Sequence, residues 1–228
     1  MYLDIRTLTV AVAIISFVGC AAFWAMLRLR LPLHGPGWWS AASGCVGVVF
    51  SFISLRPGIS WLLGILASNV LAVAALCLLW TGLRLFLGRR PPSFLLLALL
   101  LLSVTATFAA AYTLSPQGSL GFRIIFISLL LSGIFLIITR ELFIGMPARS
   151  PGRLLLSAAF LLHAAFLLVR AALTYVFGAT LPLLVSGPVT MAAMLVAVAF
   201  MALLLAGLGL VVVERLQAEA RPVRNLRD

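Results

Sequence analysis

Ser93-Phe-Leu-Leu-Leu-Ala-Leu-Leu-Leu-Leu-Ser-Val-Thr-Ala-Thr-Phe-Ala-Ala-Ala-Tyr-Thr-Leu114 carries no charged residue. A helix of that length spans roughly 33 Å, enough to cross the hydrocarbon of a bilayer. Pro91-Pro92 precede the stretch and Pro116 and Gly118 follow it, residues that end helices. The strict apolar-polar alternation of a membrane strand is missing, so the stretch reads as a transmembrane helix.

Six further segments of the same kind lie outward from it. Before it come Thr7 to Leu27, Trp38 to Leu55 and Trp61 to Leu85. After it come Leu120 to Thr139, Leu154 to Phe177 and Pro188 to Val213. Pro and Gly fall between them, as in Gly35-Pro36-Gly37, Pro57-Gly58, Pro151-Gly152 and Gly187-Pro188. The composition agrees: 64% of the 228 residues are hydrophobic and 9% are charged. A soluble domain carries roughly 25% charged residues. The expected fold is all-α and integral to the membrane: a seven-transmembrane-helix bundle over 1–213, with a short basic tail over 214–228. The first segment is too long for a signal-peptide core and lacks a basic start, so it reads as a retained helix.

The net charge is +11, and every basic residue is Arg. In a soluble protein this would suggest a nucleic-acid partner. Here it reads as topology. The 1–2, 3–4 and 5–6 loops carry Arg28, Arg30, Arg84, Arg89, Arg90, Arg140, Arg149 and Arg153, and the tail carries Arg215, Arg221, Arg224 and Arg227. These twelve face three on the other side, Arg6, Arg56 and Arg123. The ratio predicts an outside N-terminus and a cytoplasmic C-terminus in a bacterial inner membrane, with the lipid bilayer as the main partner. Trp24, Trp38, Trp39 and Trp80 are expected near the inner interface, and Tyr2, Trp61, Tyr112 and Tyr175 near the outer one. Met26 to Pro32, Gly82 to Gly88 and Thr139 to Gly145 resemble one another at spacings of 56 and 57. Three helical hairpins plus a seventh helix follow, by duplication or simply because regular hairpins put Arg at each inner turn.

Residues able to carry chemistry are few. No P-loop, GxSxG or HExxH is present, and there are two His and five acids, none of the acids mid-span. Proton-coupled pumps generally use intramembrane carboxylates, so that class loses ground. Cys20, Cys45 and Cys77 sit in apolar runs, away from metal-ligand spacing, and read as small hydrophobes. No cofactor or metal is implied.

Arg170 stands inside the sixth segment, where a charge costs roughly 2.5–3.5 kcal/mol on insertion scales. Asn69, Thr107 and Ser128 fall at similar depth on three other segments. Two readings stay open. The four line a polar pocket for an anionic or polar ligand, with Arg56 and Arg123 at its mouth and Asp4 as the nearest acid. Alternatively, Arg170 snorkels outward and the others bond between helices. His163 lies two turns from Arg170 on the same face and is a candidate sensing residue. In the second segment Ser40, Gly44, Gly47, Ser51 and Ser54 form a small-residue stripe for close helix approach, within the chain or across a homodimer.

The seventh segment continues through Val211-Val-Val-Glu-Arg-Leu-Gln-Ala-Glu-Ala220 to Pro222. Glu214, Arg215 and Glu219 would belong to a stalk leaving the membrane, interrupted at Pro222. Leu3-Asp-Ile-Arg-Thr-Leu8, Pro36-Gly-Trp-Trp39, Leu55-Arg-Pro57, Ala67-Ser-Asn-Val-Leu71 and Gly82 to Pro92 run along the same chain. With Arg170 and the Glu214 to Glu219 stalk, they resemble the multi-helix membrane modules attached to bacterial diguanylate cyclases of the GGDEF class. The resemblance implies a sensor whose last helix passes a signal to cytoplasmic cyclic di-GMP chemistry. The chain departs from the family after Glu219: no Gly-Gly-acid-acid-Phe motif exists, so catalysis does not carry over. The expectation is a non-enzymatic signal-transducing module acting on a cytoplasmic signalling partner, whether stand-alone, truncated or excised. The alternative is a small polar-solute transporter or channel. An inert membrane anchor is a third reading.

Overall fold

The computed structural model describes residues 5–29, 33–55, 58–114, 120–178 and 188–224, with side chains described over 191–219 of the last stretch. These residues contain seven helices long and apolar enough to cross a membrane. They are α1 (Ile5–Arg28), α2 (Pro36–Ser54), α3 (Ser68–Phe86), α4 (Phe94–Leu114), α5 (Leu120–Gly145), α6 (Pro151–Phe177) and α7 (Pro188–Arg224). A π-helical turn, Leu62–Ala67, leads directly into α3. The chain is a multi-pass membrane protein with a seven-helix bundle.

Most helix ends fall within two residues of the sequence reading, and the departures have local causes. Helix α5 runs on to Gly145, so Arg140 and Glu141 are helical rather than in a loop. Helix α6 begins at Pro151 because Ser150 caps it: the Ser150 hydroxyl accepts the Arg153 amide at 3.1 Å, and Pro occupies the first helical position. Arg153 therefore sits in the first turn. Helix α7 includes Pro222 instead of being interrupted by it; Pro222 lies two residues before the last helical residue, Arg224.

Packing follows the small residues. Helices α1 and α2 are antiparallel: Gly37 abuts Leu27, Gly44 abuts Cys20 and Gly47 abuts Phe17. The Ser40 hydroxyl donates to the Cys20 carbonyl at 2.8 Å. The Ser40, Gly44 and Gly47 part of the small-residue stripe is thus covered by α1. At the start of α2, Gly35 adopts φ 143°, which side chains rarely accept, and a Cβ there would lie 2.8 Å from the Gly82 carbonyl. Gly82 in turn makes room for Trp39, which is wholly buried and meets Phe23 edge-on at 5.7 Å. Trp39 and Trp80 are core residues, not interface anchors; the Trp39 indole packs against Gly82 and Phe86 of α3. Trp24 and Trp38 do stay exposed, and Arg28 lies over the Trp24 ring at 4.4 Å.

The helices close a ring: α1 packs on α2, α2 on α3, α3 on α5, α5 on α6, α6 on α7, and α7 back on α1. Helix α4 lies outside it, against α3, the π turn and α5. Its buried residues are only Val104, Phe108 and Ala111, one narrow stripe. Stacking of Trp61 on Tyr112 at 3.9 Å pins its end. The hairpin picture therefore holds well for α1–α2 and α5–α6. Helix α3 gives its main face to α2 rather than to α4.

On the face carrying the ends of α3 and α5, the Glu141 carboxylate accepts from Arg89 at 2.7 Å and lies 3.6 Å from Arg84. Leu87 presses on Gly145 beside this pair. Two of the similar segments thus dock on each other, and two Arg read only as topology hold the bundle together.

Candidate functional site

The ring holds a half-open cavity of about 210 Å³. It is walled by α2, α3, α5, α6 and α7, mainly with apolar side chains such as Val49, Phe50, Leu131 and Met201. Its polar wall is Ser68 and Asn69 on α3 with His163 and Arg170 on α6. The closing wall comes from α7, through Ala193, Met194, Ala197 and Phe200.

The π turn builds the α3 side. A π turn widens the helix and offsets its carbonyls from the usual donors, a feature frequent at functional sites. Here side chains take up the slack. Ser68 Oγ donates to the Gly64 carbonyl at 2.9 Å, and Asn69 Nδ2 donates to the Ile65 carbonyl at 2.7 Å. Asn69 is held in place by its own helix.

On α6, His163 and Arg170 are seven residues apart, two turns along one face and roughly 10 Å in height. The His163 ring sits among aromatics: 4.5 Å from Phe200, and edge-on to Phe135 at 5.0 Å. Its Nδ1 is buried and makes no hydrogen bond among the described residues. The cavity therefore has an aromatic floor around His163 and a cationic level at Arg170.

The structure brings Asn69, Arg170 and His163 together, and separates the other expected residues from them. Thr107 does not line the cavity, because α4 lies outside the ring. Ser128 is fully buried, but the α5 residues at the cavity are Leu131 and Phe135, one and two turns further on. Arg123 does not line the cavity. It is the fourth residue of α5 and is buried. Arg56 and Asp4 lie outside the described residues, as does Tyr2. Among the described residues no group of His, Cys, Asp or Glu is arranged to hold a metal ion, and Cys20, Cys45 and Cys77 are free thiols.

A second polar cluster was not anticipated. The Glu214 carboxylate of α7 accepts the Ser150 hydroxyl at 2.5 Å and the Gly152 amide at 2.8 Å. A carboxylate at a helix N-terminus meets unpaired amides and the positive end of the dipole. Above it, Gly152 lies against Val211 and Gly207 against Leu156, so the two backbones approach closely. Arg215 and Glu219 pair with each other at 2.8 Å on the exposed side of α7. Of the three stalk residues, Glu214 is thus a tie to α6 and the other two form a solvated pair.

No family model matches the chain, and searches of curated proteins and of solved structures found no match.

Proposed function

We propose that the chain is a signal-transducing module of a bacterial cytoplasmic membrane, with its N-terminus outside, its C-terminus in the cytoplasm and no enzyme activity of its own. One observation carries the reading. The helix that walls the cavity at Ala193, Ala197 and Phe200 is the same unbroken helix that continues to Arg224. At 37 residues it is roughly 55 Å long, more than a bilayer needs. A ligand that fits the cavity better in one packing of α7 than in another would shift α7 as a rod. The tie at Glu214 is where such a shift would be resisted or released. The likeness to diguanylate cyclase membrane regions supplies the output, a cytoplasmic partner in cyclic di-GMP signalling.

The test is a bacterial host carrying a cyclic di-GMP reporter. The full chain is expected to change reporter output. A chain lacking residues 217–228, inserted at the same level, is expected not to. Equal output from both would contradict the reading. The cavity also admits a transport reading, which makes a different forecast: uptake of a polar solute into proteoliposomes, lost in Arg170→Leu.

A further inference from the structure

We infer that the cavity binds a small neutral phenol, its ring among Phe135 and Phe200 and its hydroxyl hydrogen-bonded to His163. The inference names the ligand class for the sensory site proposed above and rests on that reading for its biological meaning. Its chemistry stands on the cavity wall.

Charge comes first. No acidic side chain lines the cavity among the described residues, so nothing there attracts a cation. Arg170 is already engaged in an interaction of its own, so its guanidinium is not open to an anion. The rest of the wall is mainly apolar, and an ion against it would lose its water without gaining a counter-charge. A neutral ligand meets neither cost.

Size and shape come next. An apolar protein cavity of about 150 Å³ holds benzene. At about 210 Å³ this one has room for a ring and a small substituent. Phe135, Phe200 and His163 all line it and meet at 4.5–5.3 Å, with Phe135 edge-on to both of the others. Such walls give an aromatic ring faces and edges to pack on.

The hydroxyl follows from His163. Ser68 and Asn69 already donate to the Gly64 and Ile65 carbonyls of their own helix. The His163 ring lines the cavity, yet its Nδ1 is buried without a hydrogen bond among the described residues. An unmade bond at a buried nitrogen costs stability that a ligand can restore. A half-turn about χ2 carries Nδ1 to the other edge of the ring, so a ligand can reach it from the cavity. One imidazole nitrogen donates and the other accepts; a hydroxyl does both and pairs with either.

The experiment is thermal unfolding of the purified full chain in detergent, titrated separately with phenol, toluene and benzoate. Toluene fills the same space as phenol without the hydroxyl, and benzoate carries a charge. Phenol and toluene are expected to raise the midpoint saturably, and benzoate at equal concentration to leave it unchanged. His163→Phe is expected to weaken phenol about tenfold or more and toluene by no more than about twofold, since only phenol loses a hydrogen bond. Toluene binding also shows that the variant keeps its cavity. A second measurement needs no variant. The chain has two histidines, His34 and His163, so nitrogen NMR of histidine-labelled wild type resolves them. Phenol is expected to move the His163 ring-nitrogen signals saturably and to leave those of His34 in place. No saturable shift with phenol, an equal shift with benzoate, wild-type phenol affinity in His163→Phe, or His163 signals unmoved by phenol would overturn the inference. His163-dependent phenol binding with no reporter output would refute the signalling reading and leave the ligand class standing. Reporter output without phenol binding would do the reverse.

Discussion

At the scale of single residues, position relative to the ring decides consequence. Arg170 and Asn69 were visible in the sequence because a charge and an amide stand out in apolar text. Thr107 stood out for the same reason, yet it falls on the helix left outside the ring. Depth along a helix is legible from counting; azimuth and neighbours depend on which helices pair. Thr107→Val should therefore be nearly silent, within about 0.5 kcal/mol of wild type in reversible unfolding. Glu214 shows the converse. It read as a stalk residue, but its carboxylate satisfies Gly152 and Ser150 at the start of α6. Glu214→Ala should destabilise the bundle by about 1–2 kcal/mol, the worth of a helix cap with a favourable dipole. The check is a denaturation midpoint in detergent, and an unchanged midpoint would remove Glu214 from the account. The Ser150-Pro151 cap was readable locally; its partner, 64 residues away, was not.

At the scale of elements, apolar length decided the seven helices, and Pro and Gly set most of their ends. Two features escaped that reading. The π turn at Leu62–Ala67 carries no composition signal: it arises where Ser68 and Asn69 recapture the displaced carbonyls of Gly64 and Ile65. The close pairing of α6 and α7 rests on Gly152 and Gly207, 55 positions apart in the chain, and only the antiparallel register brings them to one seam. A Cβ at Gly207 would lie 2.6 Å from Leu156. Gly207→Leu should cost at least about 1–3 kcal/mol by overpacking. Leu156→Ala in the same chain should recover part of that loss, because it empties the space the new side chain needs. A double-mutant cycle on thermal unfolding measures the coupling. Strict additivity would mean that the two helices do not meet there.

At the scale of the whole molecule, α7 joins the two polar sites. Its first half walls the cavity, its middle is gripped by Gly152 and Leu156, and Glu214 ties it to the start of α6 before it continues to Arg224. The arginines that predicted the topology also hold the frame, since Arg84 and Arg89 converge on Glu141. Glu141→Ala should lower stability by about 1–3 kcal/mol, less than a fully buried pair because both guanidiniums are about a quarter exposed at 26% and 29%. The central claim is that a change in the cavity moves the far end of α7. The direct measurement is the distance distribution between spin labels at Arg149 and Gln217 in bilayers, with Cys20, Cys45 and Cys77 replaced. Arg170→Gln lies on α6 and at neither labelled position; with wild-type helicity retained it should shift that distribution, roughly by the few ångströms typical of helix shifts. Superimposable distributions for wild type and Arg170→Gln would contradict the claim.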